Sequence, residues 1–73
     1  MFLHLGGDFS VGLTDVVSIH PWDMMESSAT NKKFLEEKDI RDLSGGKPKS
    51  IVITRDAIYL SKLSSETLRD RII

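Results

Sequence analysis

Gly45-Gly46-Lys47-Pro48-Lys49-Ser50-Ile51-Val52-Ile53-Thr54-Arg55-Asp56-Ala57-Ile58-Tyr59-Leu60-Ser61-Lys62 is the stretch that decides how this chain folds. It begins as a glycine loop carrying two lysines and runs into the strongest strand pattern in the sequence. Ile51 and Ile53 fall on one face of a strand and Val52 on the other; after a short turn, Ile58 and Leu60 repeat the alternation. The pattern predicts a β-hairpin with a positively charged loop at its mouth. Pro48 cannot donate to a ladder, so the first strand starts at Lys49 or after it. The remaining segments cover this hairpin or add strands to it.

On the N-terminal side, Phe2 to Leu5 reads as a short strand and Phe9 to Gly12 as its return. Gly6-Gly7-Asp8 supplies the positive φ angles of a tight turn between them. Val16-Val17-Ser18-Ile19-His20 is a β-branched strand closed by Pro21. Three strands in twenty residues predict an antiparallel meander. Trp22, Met24 and Met25 then gather beside the proline, outside any strand pattern, as a lid over the sheet or a contact with another subunit. Ser27 to Thr30 offers several N-caps, and 31–38 reads as a short helix docking through Phe34 and Leu35. Asp39 to Leu43 fits either the end of that helix or the start of a strand. At the C-terminal end, Ser64 is a good N-cap, Glu66 suits the positive end of the helix dipole, and Leu63 and Leu68 occupy the staple positions. Leu68 and Ile72 line one face of this second helix.

The expected architecture is a single α+β domain over 1–73, with a small, mostly antiparallel sheet of about five strands and two short helices. A chain of 73 residues buries only about 60% of its unfolded surface, and without cysteine it has no disulfide or thiolate metal site to staple it. Oligomerisation is the device that remains. Trp22, the methionines and Ile72-Ile73 are apolar surface that two small helices cannot cover, so self-association is expected. No run approaches the ~20 apolar residues of a membrane helix, and the N-terminus lacks the basic region of a signal peptide. The expectation is a soluble protein of the cytoplasm.

The net charge of −1 argues against a nucleic-acid binder until its distribution is considered. Residues 1–46 carry four basic and eight acidic side chains, a net of −4, whereas 47–73 carry six basic and three acidic, a net of +3. Such halves describe a polar subunit that associates head to tail, or a localised basic surface on an acidic body.

Catalytic patterns are missing. His4 and His20 lie on predicted strands without ligand spacing, and Asp23 is the one acid that would join them in a metal site, which nothing requires. There is no G-x-S-x-G elbow. Gly45-Gly46-Lys47 is followed by Pro48 rather than Ser or Thr, and Arg41 stands where a phosphate loop needs its first glycine. Glu36 and Glu37 are adjacent on a helix and diverge. No enzyme, metal or cofactor is expected. Lys47 and Lys49 differ, because a glycine-flanked loop with two lysines can lie against a phosphodiester backbone, its amide N–H groups adding donors. Lysines bind phosphate as point charges, giving affinity without base specificity. The competing explanation is that they keep an edge hairpin soluble. A ring of subunits would multiply the pair, and weak contacts would add through effective concentration.

Two blocks resemble the bacterial extracellular matrix regulatory (Rem) protein family, and within it the short B-type members. One is Met1-Phe2-Leu3-His4-Leu5-Gly6 with Asp15-Val16-Val17-Ser18-Ile19. The other, more specific, is Lys47-Pro48-Lys49-Ser50-Ile51-Val52-Ile53-Thr54 with Ile58-Tyr59-Leu60-Ser61 and Leu63-Ser64-Ser65-Glu66-Thr67-Leu68. The resemblance spans almost the whole chain. It implies a DNA-binding transcriptional regulator associated with biofilm matrix genes in Gram-positive bacteria. A-type members are similar in fold to LytTR-like DNA-binding domains and assemble into rings that present arginines around the outside for DNA to wrap. Their basic cluster lies in the loop that here reads Gly45-Gly46-Lys47-Pro48-Lys49, so the carry-over falls on Lys47 and Lys49. Two departures weaken the DNA contact more than the fold or the ring. The adjacent arginine pair is here Gly46-Lys47, and a second basic position aligns with Asp15, which repels phosphate.

The reading is therefore a cytoplasmic, ring-forming regulator that binds double-stranded DNA through Lys47 and Lys49, with Arg55 as a third contact. The alternative is an oligomeric protein-interaction module without direct DNA binding.

Overall fold

The computed structural model describes residues 1–7, 9–26 and 39–72. The helix expected over 31–38 lies outside them. Six strands and two short helices follow in the order β1 (Phe2–Gly6), β2 (Phe9–Gly12), a 3-10 turn (Leu13–Asp15), β3 (Val16–Pro21), α1 (Trp22–Glu26), β4 (Ile40–Asp42), β5 (Ser50–Thr54), β6 (Ile58–Ser61) and α2 (Ser65–Asp70). The fold is α+β and mostly antiparallel.

The central hairpin forms where the alternation placed it. β5 and β6 pair antiparallel, with Ser50 opposite Ser61, Ile51 opposite Leu60, Val52 opposite Tyr59 and Ile53 opposite Ile58. Opposed residues share a face, so Val52 and Tyr59 look one way while Ile51, Ile53, Ile58 and Leu60 look the other. Both faces are covered. Val52 and Tyr59 join Leu3, Leu5, Val11, Ile19, Ala57 and Leu68 in the main core. Ile51 and Ile58 form a second cluster, against which Trp22, Ile53 and Leu60 pack. Of the two roles expected for the Trp22, Met24 and Met25 group, lid or subunit contact, Trp22 packs over the sheet, from a single helical turn directly after Pro21.

The N-terminal meander does not form. β1 and β2 make a two-stranded antiparallel sheet of their own, and β3 leaves them to pair with β5 in a four-stranded sheet of order β3-β5-β6-β4. A β-branched run specifies a strand but not its neighbour. Here the 3-10 turn redirects the chain, and pairing with β5 sets Ile19 opposite Val52, where both are buried. The Asp39 to Leu43 segment resolves as a strand, β4, which runs parallel to β6 with Ile40 opposite Ile58 and Asp42 opposite Leu60.

The small sheet and α2 cover one face of the large one. Ser61, fully buried, ties the layers together: its hydroxyl donates to the Leu5 carbonyl at 2.6 Å and accepts from the Leu63 amide at 3.1 Å. Ser50 beside it donates to the Leu63 carbonyl at 2.7 Å. Buried hydroxyls with partners cost little, and these hold β1 and the α2 approach onto the end of the hairpin. α2 starts as expected, with Ser64 Oγ accepting from the Thr67 amide at 3.1 Å. Its Leu68 is fully buried and Ile72 packs on the same core. Truncating Leu68 to alanine would cost about 2–5 kcal/mol.

Candidate nucleic-acid interface

The basic loop is an arch. β4 and β5 flank β6 on either side, so residues 43–49 must cross the C-terminal end of β6 to connect them. Both feet are pinned to consecutive residues of β6. The Leu43 amide donates to the Leu60 carbonyl and the Lys49 amide to the Ser61 carbonyl, each at 2.8 Å. Gly45 and Gly46 make the bend with φ of +72° and +94°, a region that side chains disfavour.

Asp42 organises the crown of the arch. One of its carboxylate oxygens accepts from the Ser44 amide at 2.8 Å and from the Ser44 hydroxyl, and the other accepts from the Gly46 amide at 3.2 Å. These bonds, led by the Ser44 hydroxyl, hold its pKa below the ordinary carboxylate value. The Ser44 and Gly46 amides are thereby committed within the loop and are taken from the donors expected to add to a phosphate contact.

Lys47 and Lys49 are both exposed on the arch. Among the described residues the one ion pair is Arg41 with Asp39, at 3.5 Å, and neither lysine has a carboxylate within that reach. Lys49 is also fixed through its backbone, since its carbonyl accepts from the Trp22 amide at 3.0 Å. The structure therefore brings two exposed ammonium groups, unpaired among the described residues, to one edge fixed by backbone bonds.

A model of the family described as extracellular matrix regulatory protein A-like matches residues 2–72. Extracellular matrix regulatory protein B of Bacillus subtilis (strain 168) is 39% identical over 72 residues, covering 97% of this chain and 89% of that protein. The chain belongs to the extracellular matrix regulatory protein A-like family.

In this family member Arg55 stands apart from the arch. It begins the β5–β6 turn, at the opposite end of β5, about 20 Å from Lys49 at strand spacing. Its amide donates to the Asp15 carbonyl at 3.0 Å. Asp15 and Asp56 line a shallow cavity of about 180 Å³ there, with Thr54 and Tyr59. The two lysines are together; the arginine shares its end of the sheet with carboxylates.

The arch end holds a further cation that the sequence alone treats as an ordinary surface residue. Lys62, exposed, follows Ser61 directly and so stands at the same end of β6 as Lys47 and Lys49. The signal that finds it is the pairing register, not the spacing along the chain.

The other basic residues of the C-terminal half hold the fold. Arg69 donates to the Ile19 carbonyl at 2.8 Å and Arg71 to the His4 carbonyl at 3.5 Å. His20 shares a hydrogen bond with Ser18 at 3.0 Å, whereas His4 lies exposed in the other sheet. Among the described residues no three His, Asp or Glu side chains gather as a metal-ligand set, and no helix is long and apolar enough to cross a membrane.

Proposed function

We propose that this protein is a cytoplasmic DNA-binding transcriptional regulator of biofilm matrix genes, acting by binding and not by catalysis. It works as a ring-shaped homo-oligomer whose subunits present Lys47 and Lys49 to the phosphate backbone. The observation that carries the reading is the pinned arch with two exposed lysines and no described carboxylate in reach. Membership of a family named for regulating the extracellular matrix agrees with it. One pair of lysines per subunit gives little affinity, but a ring repeats the pair, and each neutralised phosphate adds to the salt dependence of binding.

Two features support self-association. Phe2 and Val17 are 76% and 64% exposed, large apolar surfaces for so small a protein. The sheet is also polar end to end, with lysines at the arch and Asp15, Asp39 and Asp56 at the opposite end, which favours head-to-tail contact over a symmetric one. Arg55, far from the arch, contributes as a separate and weaker phosphate contact.

The test is duplex binding by fluorescence anisotropy across a salt series, on protein whose assembled mass is checked by light scattering. A steep salt slope, lost in the Lys47→Glu/Lys49→Glu double variant with the ring intact, supports the proposal; unchanged affinity in that variant removes it. The carboxylates around Arg55 and the net charge of −1 favour a second reading, an oligomeric protein-interaction module. That reading predicts a stable ring with no salt-sensitive binding to any duplex.

A further inference from the structure

Lys62 is separated from Lys47 and Lys49 by the whole hairpin in sequence, but not in space. Ser50 and Ser61 form the last pair of the β5–β6 ladder. Lys49 precedes that pair on one strand and Lys62 follows it on the other, and the Lys49 amide reaches across to the Ser61 carbonyl. Lys49 and Lys62 therefore share the arch end of the hairpin, and their charges add there.

Among the described residues, none of the three lysines has a carboxylate at ion-pair distance. Asp42, the acid of the arch, spends both oxygens on Ser44 and Gly46. Asp23 follows Trp22 nearby without pairing with Lys49. The Lys62 stem is also held, because it runs along the Gly6 backbone: a β-carbon on Gly6 would lie 3.6 Å from Lys62 Cε and 3.7 Å from its Cγ. Such a stem packs its methylenes and leaves the ammonium in water. Three exposed cations at one strand end outnumber the acid of the arch, and make a surface suited to a polyanion.

We infer that Lys62 is the third phosphate contact of the interface, forming with Lys47 and Lys49 one phosphodiester site at the C-terminal end of β6. The inference rests on the DNA-binding reading. It makes the site composite, with two cations from the arch and one from the strand end beneath it.

The experiment uses the assembled protein and a fluorescent duplex, with affinity measured between about 50 and 200 mM salt. Lys62→Gln removes the charge and keeps an exposed polar side chain, and Arg71→Gln removes an equal charge outside the cluster. Lys62→Gln is expected to weaken binding about threefold or more and to flatten the log–log salt slope by about 0.9 for each contacting subunit. Arg71→Gln is expected to leave the slope unchanged. The inference is overturned if the two single variants flatten the slope equally, which would report net charge alone, or if neither does while Lys47→Glu/Lys49→Glu abolishes binding. Unchanged binding in that double variant would instead bring down the DNA reading itself, and the Lys62 assignment with it.

Discussion

At one end of the β5–β6 hairpin the chain turns through Arg55, Asp56 and Ala57; at the other it arches over the end of β6 before entering β5. The short turn is closed mainly by its own residues, with a bond from outside, the Arg55 amide to the Asp15 carbonyl. Thr54 Oγ1 donates to the Ala57 carbonyl at 2.7 Å and accepts from the Ala57 amide at 3.1 Å. The arch is closed by partners from three segments, with Leu60 and Ser61 under its feet, Trp22 on Lys49, and Asp42 inside its crown. The turn end carries carboxylates and the arch end carries lysines. The turn is bonded mainly to itself and sets Ala57 into the core, whereas the arch is oriented by tertiary bonds at both feet and so can hold charges in fixed relation. That is the property a multivalent phosphate surface needs.

The buried hydroxyls are where this comparison breaks most severely. Ser61→Val would strand the Leu5 carbonyl and the Leu63 amide in a fully buried site, and denaturant unfolding should show a loss of about 2–3 kcal/mol. Thr54→Val, at the turn end, should cost only about 1 kcal/mol, because Thr54 is half-buried and its amide still donates to the Ala57 carbonyl. Equal losses would show that the two ends are anchored alike.

Gly46→Val comes next. The site is open, with nothing within 4 Å of an added β-carbon, so the penalty is conformational. About 1–2 kcal/mol is expected at φ of +94°. Duplex affinity should fall further than stability does, since the lysine following this residue would be redirected.

Asp42 sharpens the comparison through pH. Its folded pKa is depressed, so its contribution to loop order is fully present above the ordinary carboxylate pKa of about 4 and is lost as pH falls through the lowered value. Protection factors of the Ser44 and Gly46 amides, each taken against the intrinsic exchange rate at its pH, should fall in acid, and their exchange should accelerate in Asp42→Ala at neutral pH. Asp42→Ala should also weaken duplex binding although it removes a negative charge. Stronger binding would mean that the carboxylate acts on DNA by repulsion and not through the loop.

The smallest effect belongs to Arg55→Gln. The exposed side chain has no described partner, so stability should stay within about 0.5 kcal/mol and duplex affinity should change less than for either arch lysine. A larger loss than at Lys47 would move the interface to the turn end.

Much of the fold was legible because its signals are local. Alternation at Ile51-Val52-Ile53 and Ile58-Tyr59-Leu60 assigns faces without reference to any partner. Ser64 caps the next turn whatever surrounds it, and two glycines before a proline mark a loop in any context. The two lysines of the arch were legible for the same reason, being two positions apart. Tertiary structure alone decided which strands became neighbours. Val16 to His20 reads as the third strand of a meander and became, with Pro21, an edge partner of β5; Asp39 to Leu43 fits a helix end or a strand, and its Ile40–Asp42 became a parallel neighbour of β6. Strand pairing depends on which apolar faces can be buried together, and that sum runs over the whole chain. The same non-local register set Lys62 at the arch end of the hairpin and left Arg55 at the far end, while Asp42 took the Ser44 and Gly46 amides. Periodicity and capping act within a few residues and can be read from them; neighbours across a sheet are chosen by the global burial that no short stretch contains.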